Sequence, residues 1–180
     1  MQIQAVISNK QHQEYGVMTV PFPIPEEQYT EILDMLGQLS LGDGFLPVCH
    51  VDELHGDVPI LKRLEGTEVN IDELDYLAKR LDSFTDNELA QFQSMAYKDG
   101  YTRVPALISL TFCCQCATVV TDFSNLEALG RQHYMNLNEG GVSVGEMERQ
   151  DFRHIALDLL QNDTECSVTP TEWFIQTAWS

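Results

Sequence analysis

Between Gln11 and Leu61 the chain carries nine carboxylates and not one lysine or arginine. Any helix or strand drawn from this stretch must turn its acids to water, because a buried unpaired carboxylate is costly and no local cation is at hand. The whole chain of 180 residues shows the same imbalance, with 28 acidic and 10 basic side chains and a net charge of −18. Residues 1–99 hold 18 acids and 6 bases, and residues 100–180 hold 10 and 4, so the negative field is densest toward the N-terminus. A surface of this sign repels phosphates and anionic membranes and attracts basic partners, so direct nucleic-acid binding is not expected.

Hydrophobic residues are 43% of the chain, enough for a globular core in one medium domain or two to three small ones. No stretch approaches the roughly 20 apolar residues needed to span a bilayer, and Met1-Gln-Ile-Gln4 is not a charged leader. Cys49, Cys113, Cys114, Cys116 and Cys166 are odd in number and lack a framework spacing, which favours reduced thiols. The expectation is a cytoplasmic protein with no membrane association.

Local patterns predict an α+β fold. Residues 3–8 and 15–20 read as strands, the second ending at Pro21, and a further strand falls near 45–51. Between them Pro25 opens a helix, with Glu26 and Glu27 where the helix dipole favours negative charge. Tyr29, Ile32, Leu33 and Leu36 recur at helical spacing and form its expected buried stripe. Asn70-Ile-Asp-Glu73 and Thr85-Asp-Asn-Glu88 resemble capping boxes and announce two short antiparallel helices joined by Asp82-Ser-Phe84.

Beyond Val104 lie an apolar run, a short strand at Val119 and Val120, and a third capping pattern at Ser124-Asn-Leu-Glu127. Ser143 opens a longer helix with Phe152, Ile155, Ala156, Leu159 and Leu160 on its buried face. Cys166–Val168 and Trp173–Ala178 suit a closing hairpin around Pro170, although Thr169-Pro-Thr-Glu172 also resembles a helix start. The expected organisation is three consecutive subdomains: an α+β unit over 1–66, an acidic helical pair over 67–103 and an α+β unit over 104–180.

Motifs for chemistry are sparse. Cys113-Cys-Gln-Cys116 supplies one C-x-x-C pair, but a zinc site needs a second, which Cys49, His50 or His55 would have to complete from a distance. Cysteines in an apolar run are more often small buried hydrophobes. No phosphate-binding glycine loop, nucleophile elbow or calcium loop occurs. The sequence predicts no catalytic residues, no metal and no cofactor, and hence a protein that is not an enzyme.

The acids show more order. Glu27, Glu31 and Asp34 fall at i, i+4 and i+7 opposite the apolar stripe, a like-charge spacing that costs a few tenths of a kcal/mol per pair. Duplex DNA carries one charge per roughly 1.7 Å, so 18 net charges correspond to about 30 Å, or roughly nine base pairs. The bland reading is a solvated acidic surface; the sharper one is that the carboxylates imitate DNA phosphates.

Taken in order, the segments resemble the ArdA antirestriction family of conjugative plasmids and transposons. The likeness begins at Ile3-Gln-Ala-Val-Ile7 and Cys49-His-Val-Asp-Glu53. It continues through Val69-Asn-Ile-Asp-Glu-Leu-Asp-Tyr-Leu-Ala78, Asn87-Glu-Leu-Ala-Gln-Phe92, Ala106-Leu-Ile-Ser-Leu-Thr-Phe112 and Asn125-Leu-Glu-Ala-Leu-Gly-Arg131. It closes at Asp151-Phe-Arg-His-Ile-Ala-Leu-Asp158 and Trp173-Phe174; Cys113-Cys-Gln-Cys116 and His133-Tyr-Met135 depart from the pattern.

The resemblance implies an elongated, three-part homodimer joined through its C-terminal part. Such a protein mimics bent DNA and occupies the DNA-binding groove of type I restriction–modification enzymes. The acids expected to carry this are Glu26, Glu27, Glu31, Asp34, Asp52, Glu53, Asp72, Glu73, Asp75, Asp82, Asp86 and Glu88. The alternative is an acidic inhibitor of another defence system or of a basic DNA-binding regulator.

Overall fold

In the computed structural model the described residues are 3–42, 44–120, 124–138, 141–162, 167–168 and 174–177. The class is α+β, as the sequence predicts. The chain divides into two compact units, residues 1–115 and 116–180.

The first unit contains an antiparallel sheet in the order β2-β1-β3-β4, formed by β1 (Ile3–Ser8), β2 (Val17–Phe22), β3 (Val48–Gly56) and β4 (Glu68–Asn70). Period-two alternation puts Ile3, Ala5 and Ile7 of β1 and Met18, Val20 and Phe22 of β2 on the buried face. Strand β2 runs through Pro21 instead of stopping before it; as an edge strand it tolerates a residue that cannot donate.

A 3-10 turn over Glu26–Gln28 leads into α1 (Tyr29–Gln38), where Ile32 and Leu36 are buried. The expected stripe is narrower than predicted: Leu33 is half-buried and Tyr29 is 45% exposed. Next come α2 (Ile71–Asp82), α3 (Asp86–Lys98) and α4 (Val104–Leu110). Asn70 caps α2 by accepting from the Asp72 and Glu73 amides, and Thr85 with Glu88 forms the full reciprocal box on α3. Helices α2 and α3 pack on α4 more than on each other, so the apolar run after Val104 is the partner the sequence left unplaced. Packing crosses both breaks of the expected three-part division: β4 pairs with β3 across 66/67, and α2 lies on α4 across 103/104.

One polar contact ties this unit together. Asp75 is buried on α2, accepts a 2.7 Å bond from the Ile24 amide and pairs with Lys79 at 2.6 Å. Ile24 lies between Pro23 and Pro25, so its N–H is the one backbone donor of that tripeptide.

The second unit contains β5 (Ala117–Val120), α5 (Leu126–Leu137), α6 (Val144–Met147), α7 (Phe152–Asn162), β6 (Ser167–Val168) and β7 (Phe174–Thr177), the strands ordered β5-β7-β6. The long helix expected from Ser143 is two helices. Ser143 and Glu146 form a capping box on α6, which lasts only four residues, and the Asp151 carboxylate accepts from the His154 amide at the start of α7. Strands β6 and β7 pair antiparallel as the hairpin reading predicts, while the rival helix start at 169–172 lies outside the described residues. Leu129, Ala156 and Leu159 form the α5–α7 core. Gly130 permits it, because a Cβ there would overlap the Phe152 carbonyl.

Two substitutions test these contacts. Asp75→Ala strands the Ile24 amide and costs about 1–3 kcal/mol, whereas Asp75→Asn keeps an acceptor and costs less. Gly130→Ala forces α5 and α7 apart and costs about 1–3 kcal/mol. Urea unfolding followed by circular dichroism should show a lower midpoint for Gly130→Ala and for Asp75→Ala than for the parent chain, with Asp75→Asn in between.

Candidate functional site

The expected acidic residues fall into three groups. Glu26 and Glu27 in the 3-10 turn, Glu31 and Asp34 on α1, and Asp72, Asp82 and Asp86 at the termini of α2 and α3 are exposed. The carboxylates of Glu27, Glu31, Asp34, Asp57, Asp72 and Asp86 have no hydrogen bond or ion pair among the described residues. The helix thus presents its acids bare to solvent, as the spacing predicts.

Asp52 and Glu53 form a second group with a different cause. In a regular strand two successive residues face opposite sides of the sheet. The β1–β3 register shifts between Val6 and Ile7, which pair with Glu53 and Val51 and leave Asp52 as the extra residue of a β-bulge. Both acids are consequently exposed between buried Val51 and Leu54. His55 lies 3.1 Å from the Glu53 carboxylate.

The third group is buried or half-buried. Asp75 is buried and is not a surface carboxylate, which corrects the sequence expectation: its partners Ile24 and Lys79 are 51 and four residues away. Glu73 is half-buried. Glu88 accepts from the Thr85 amide at 2.8 Å and the Thr85 hydroxyl at 2.9 Å, and these bonds lower its pKa below the usual 4.5. Hydrogen bonds from Ser143, first from its hydroxyl, lower Glu146 in the same way. A carboxylate depressed in the folded state adds stability above its ordinary pKa, and that stability is lost as pH falls through the folded value.

The cations are what sequence reasoning missed. Residues 1–115 hold 18 acids and seven bases, and three of those bases are drawn into the fold. Lys79 is bound to Asp75, which with nearby Glu26 raises its pKa. Arg63 donates to the Ala96 carbonyl at 3.2 Å and lies 4.9 Å over the Tyr97 ring. Arg80 donates to the Thr111 hydroxyl and carbonyl at 3.3 and 3.2 Å and lies 4.5 Å over Phe112. None of these three cations forms an ion pair with an acid of α1 or the bulge among the described residues.

Among the described residues no three or more His, Cys, Asp or Glu side chains converge as metal ligands, and no helix is long and apolar enough to cross a membrane. Cys113 is exposed, while Cys49 and Cys114 are buried. Desolvation pushes Cys49 up to about 12 and Cys114 up to about 11. No protein family, curated protein or solved structure matches the chain.

The thiols give a direct check on this burial. Iodoacetamide at pH 8 should alkylate Cys113 of the folded chain and leave Cys49 and Cys114 unmodified until denaturant is added, read by peptide mass spectrometry.

Proposed function

We propose that the chain is a DNA-mimic antirestriction protein that occupies the DNA-binding groove of a type I restriction–modification enzyme. The observation that carries the reading is the pairing pattern: unpartnered carboxylates on α1 and exposed acids at the Asp52–Glu53 bulge, where Glu53 meets only His55, with Lys79, Arg63 and Arg80 bonded to other groups of the fold. Lys and Arg of a DNA-binding groove that ordinarily meet phosphates would meet these carboxylates. Inhibition is then competitive occupancy and needs no bond-making step. The ordered likeness to the ArdA family supports the same reading, with the protein acting as a cytoplasmic homodimer.

Charge–charge recognition of this kind weakens with salt, because the exposed pairs are screened and the groove recovers its counterions. Titrating a purified type I enzyme and labelled duplex with the protein should displace the DNA at low salt and much less at high salt. Absence of displacement by folded protein would redirect the search to other basic partners, such as a DNA-binding regulator. At about 0.5 kcal/mol per exposed charge, Glu27→Gln, Glu31→Gln and Asp34→Asn together should weaken competition about tenfold. Full potency in that triple variant would remove α1 from the contact surface.

A further inference from the structure

Strand β4 is a free edge of the four-stranded sheet. Its register with β3 decides which peptide groups face outward. The Val51 amide donates to the Thr67 carbonyl and the Ile71 amide donates to the Pro47 carbonyl, so the 51/67 and 47/71 pairs are hydrogen-bonded pairs. Antiparallel ladders alternate, which makes Cys49↔Val69 the next hydrogen-bonded pair and leaves Val48↔Asn70 and His50↔Glu68 as the non-bonded ones. The Glu68 N–H and C=O and the Asn70 N–H consequently point away from β3, toward the open edge.

A cleft of about 480 Å³ runs along that edge. Thr102, Arg103 and the start of α4 also line it, together with buried Leu64 and Val69. Strand β4 is three residues long, so a strand added to it would pair over about three residues.

Of the charges around it, Glu68 already pairs with Lys10 at 3.8 Å. Glu73 and Arg103 line the same cleft yet form no ion pair with each other, and among the described residues the Arg103 guanidinium has no hydrogen bond or ion pair. In a chain with 28 acids and 10 bases, an arginine left unpaired beside carboxylates keeps its full capacity to take a bidentate carboxylate.

We infer that this cleft binds the C-terminal three or so residues of an extended peptide, which adds a strand to β4. The peptide's α-carboxylate would lie on Arg103, and a lysine or arginine side chain would lie on Glu73. The overall negative charge favours such a basic segment, and β-augmentation with carboxylate capture is an established way to recognise a chain end. The site is independent of the carboxylates of α1, so it can stand if the DNA-mimic reading fails.

The test is an amide NMR titration of the whole protein with acetyl-Val-Lys-Val bearing a free carboxylate, and with the same peptide amidated at its C-terminus. Saturable shifts at the Glu68, Asn70 and Arg103 amides are expected with the free acid. Affinity should fall at least fivefold on amidation and on Arg103→Gln, with the protein's remaining spectrum unchanged. The inference is overturned by no shift at millimolar peptide, by shifts confined to other surfaces, or by equal affinity for acid and amide. Unaltered competition with duplex by Arg103→Gln would separate this site from the α1 surface.

Discussion

A buried carboxylate sets the geometry of the acidic face without belonging to it. Three prolines crowd the passage from β2 to α1, so ladder bonding ends there and Ile24 is left with a donor that needs an acceptor. Asp75 supplies it from α2, while Lys79, one turn further along the same helix, balances the charge. The segment that leads into Glu26, Glu27 and α1 is thereby anchored to the helix behind it. A carboxylate bonded on both sides in this way is positional, and replacing it removes a fastening where replacing Glu31 removes only charge.

The same economy governs the cations. Ten bases against 28 acids cannot neutralise the surface, and the fold does not try to do so with those it has. Arg63 and Arg80 satisfy carbonyls and cover aromatic rings, and Lys79 serves Asp75. The result is a surface on which Glu31 and Asp34 of α1 carry no ion pair among the described residues and Glu53 of the bulge meets only His55. Such a surface costs stability through self-repulsion, which is tolerable where a basic partner relieves it.

The Asp52–Glu53 bulge is a second geometric device with the same effect. Without an extra residue, alternation would turn one of the two acids toward the Val51 and Leu54 side of the sheet, where burial would be prohibitive. The inserted residue restores register beyond it and leaves both acids in water. In the second unit, Gly130 plays a comparable part for packing. The absence of one carbon allows the α5 and α7 backbones to meet, and Leu129, Ala156 and Leu159 close around the contact.

Sequence alone determined the class of fold, most of the helices and strands, and the exposed acids of α1, because these follow from local periodicity and capping. Thr85 with Glu88 and Ser143 with Glu146 are legible since every partner lies within three residues. The tertiary structure decided the rest, for reasons of distance along the chain. Asp75 reads as one more surface acid until Ile24, 51 residues earlier, is brought to it. Arg80 reads as a solvent cation until Thr111 and Phe112 arrive, and Asp52 reads as an alternating strand residue until β1 fixes the register. The β3–β4 pairing and the α2–α4 packing follow the same rule: both are non-local, and no local pattern announces them.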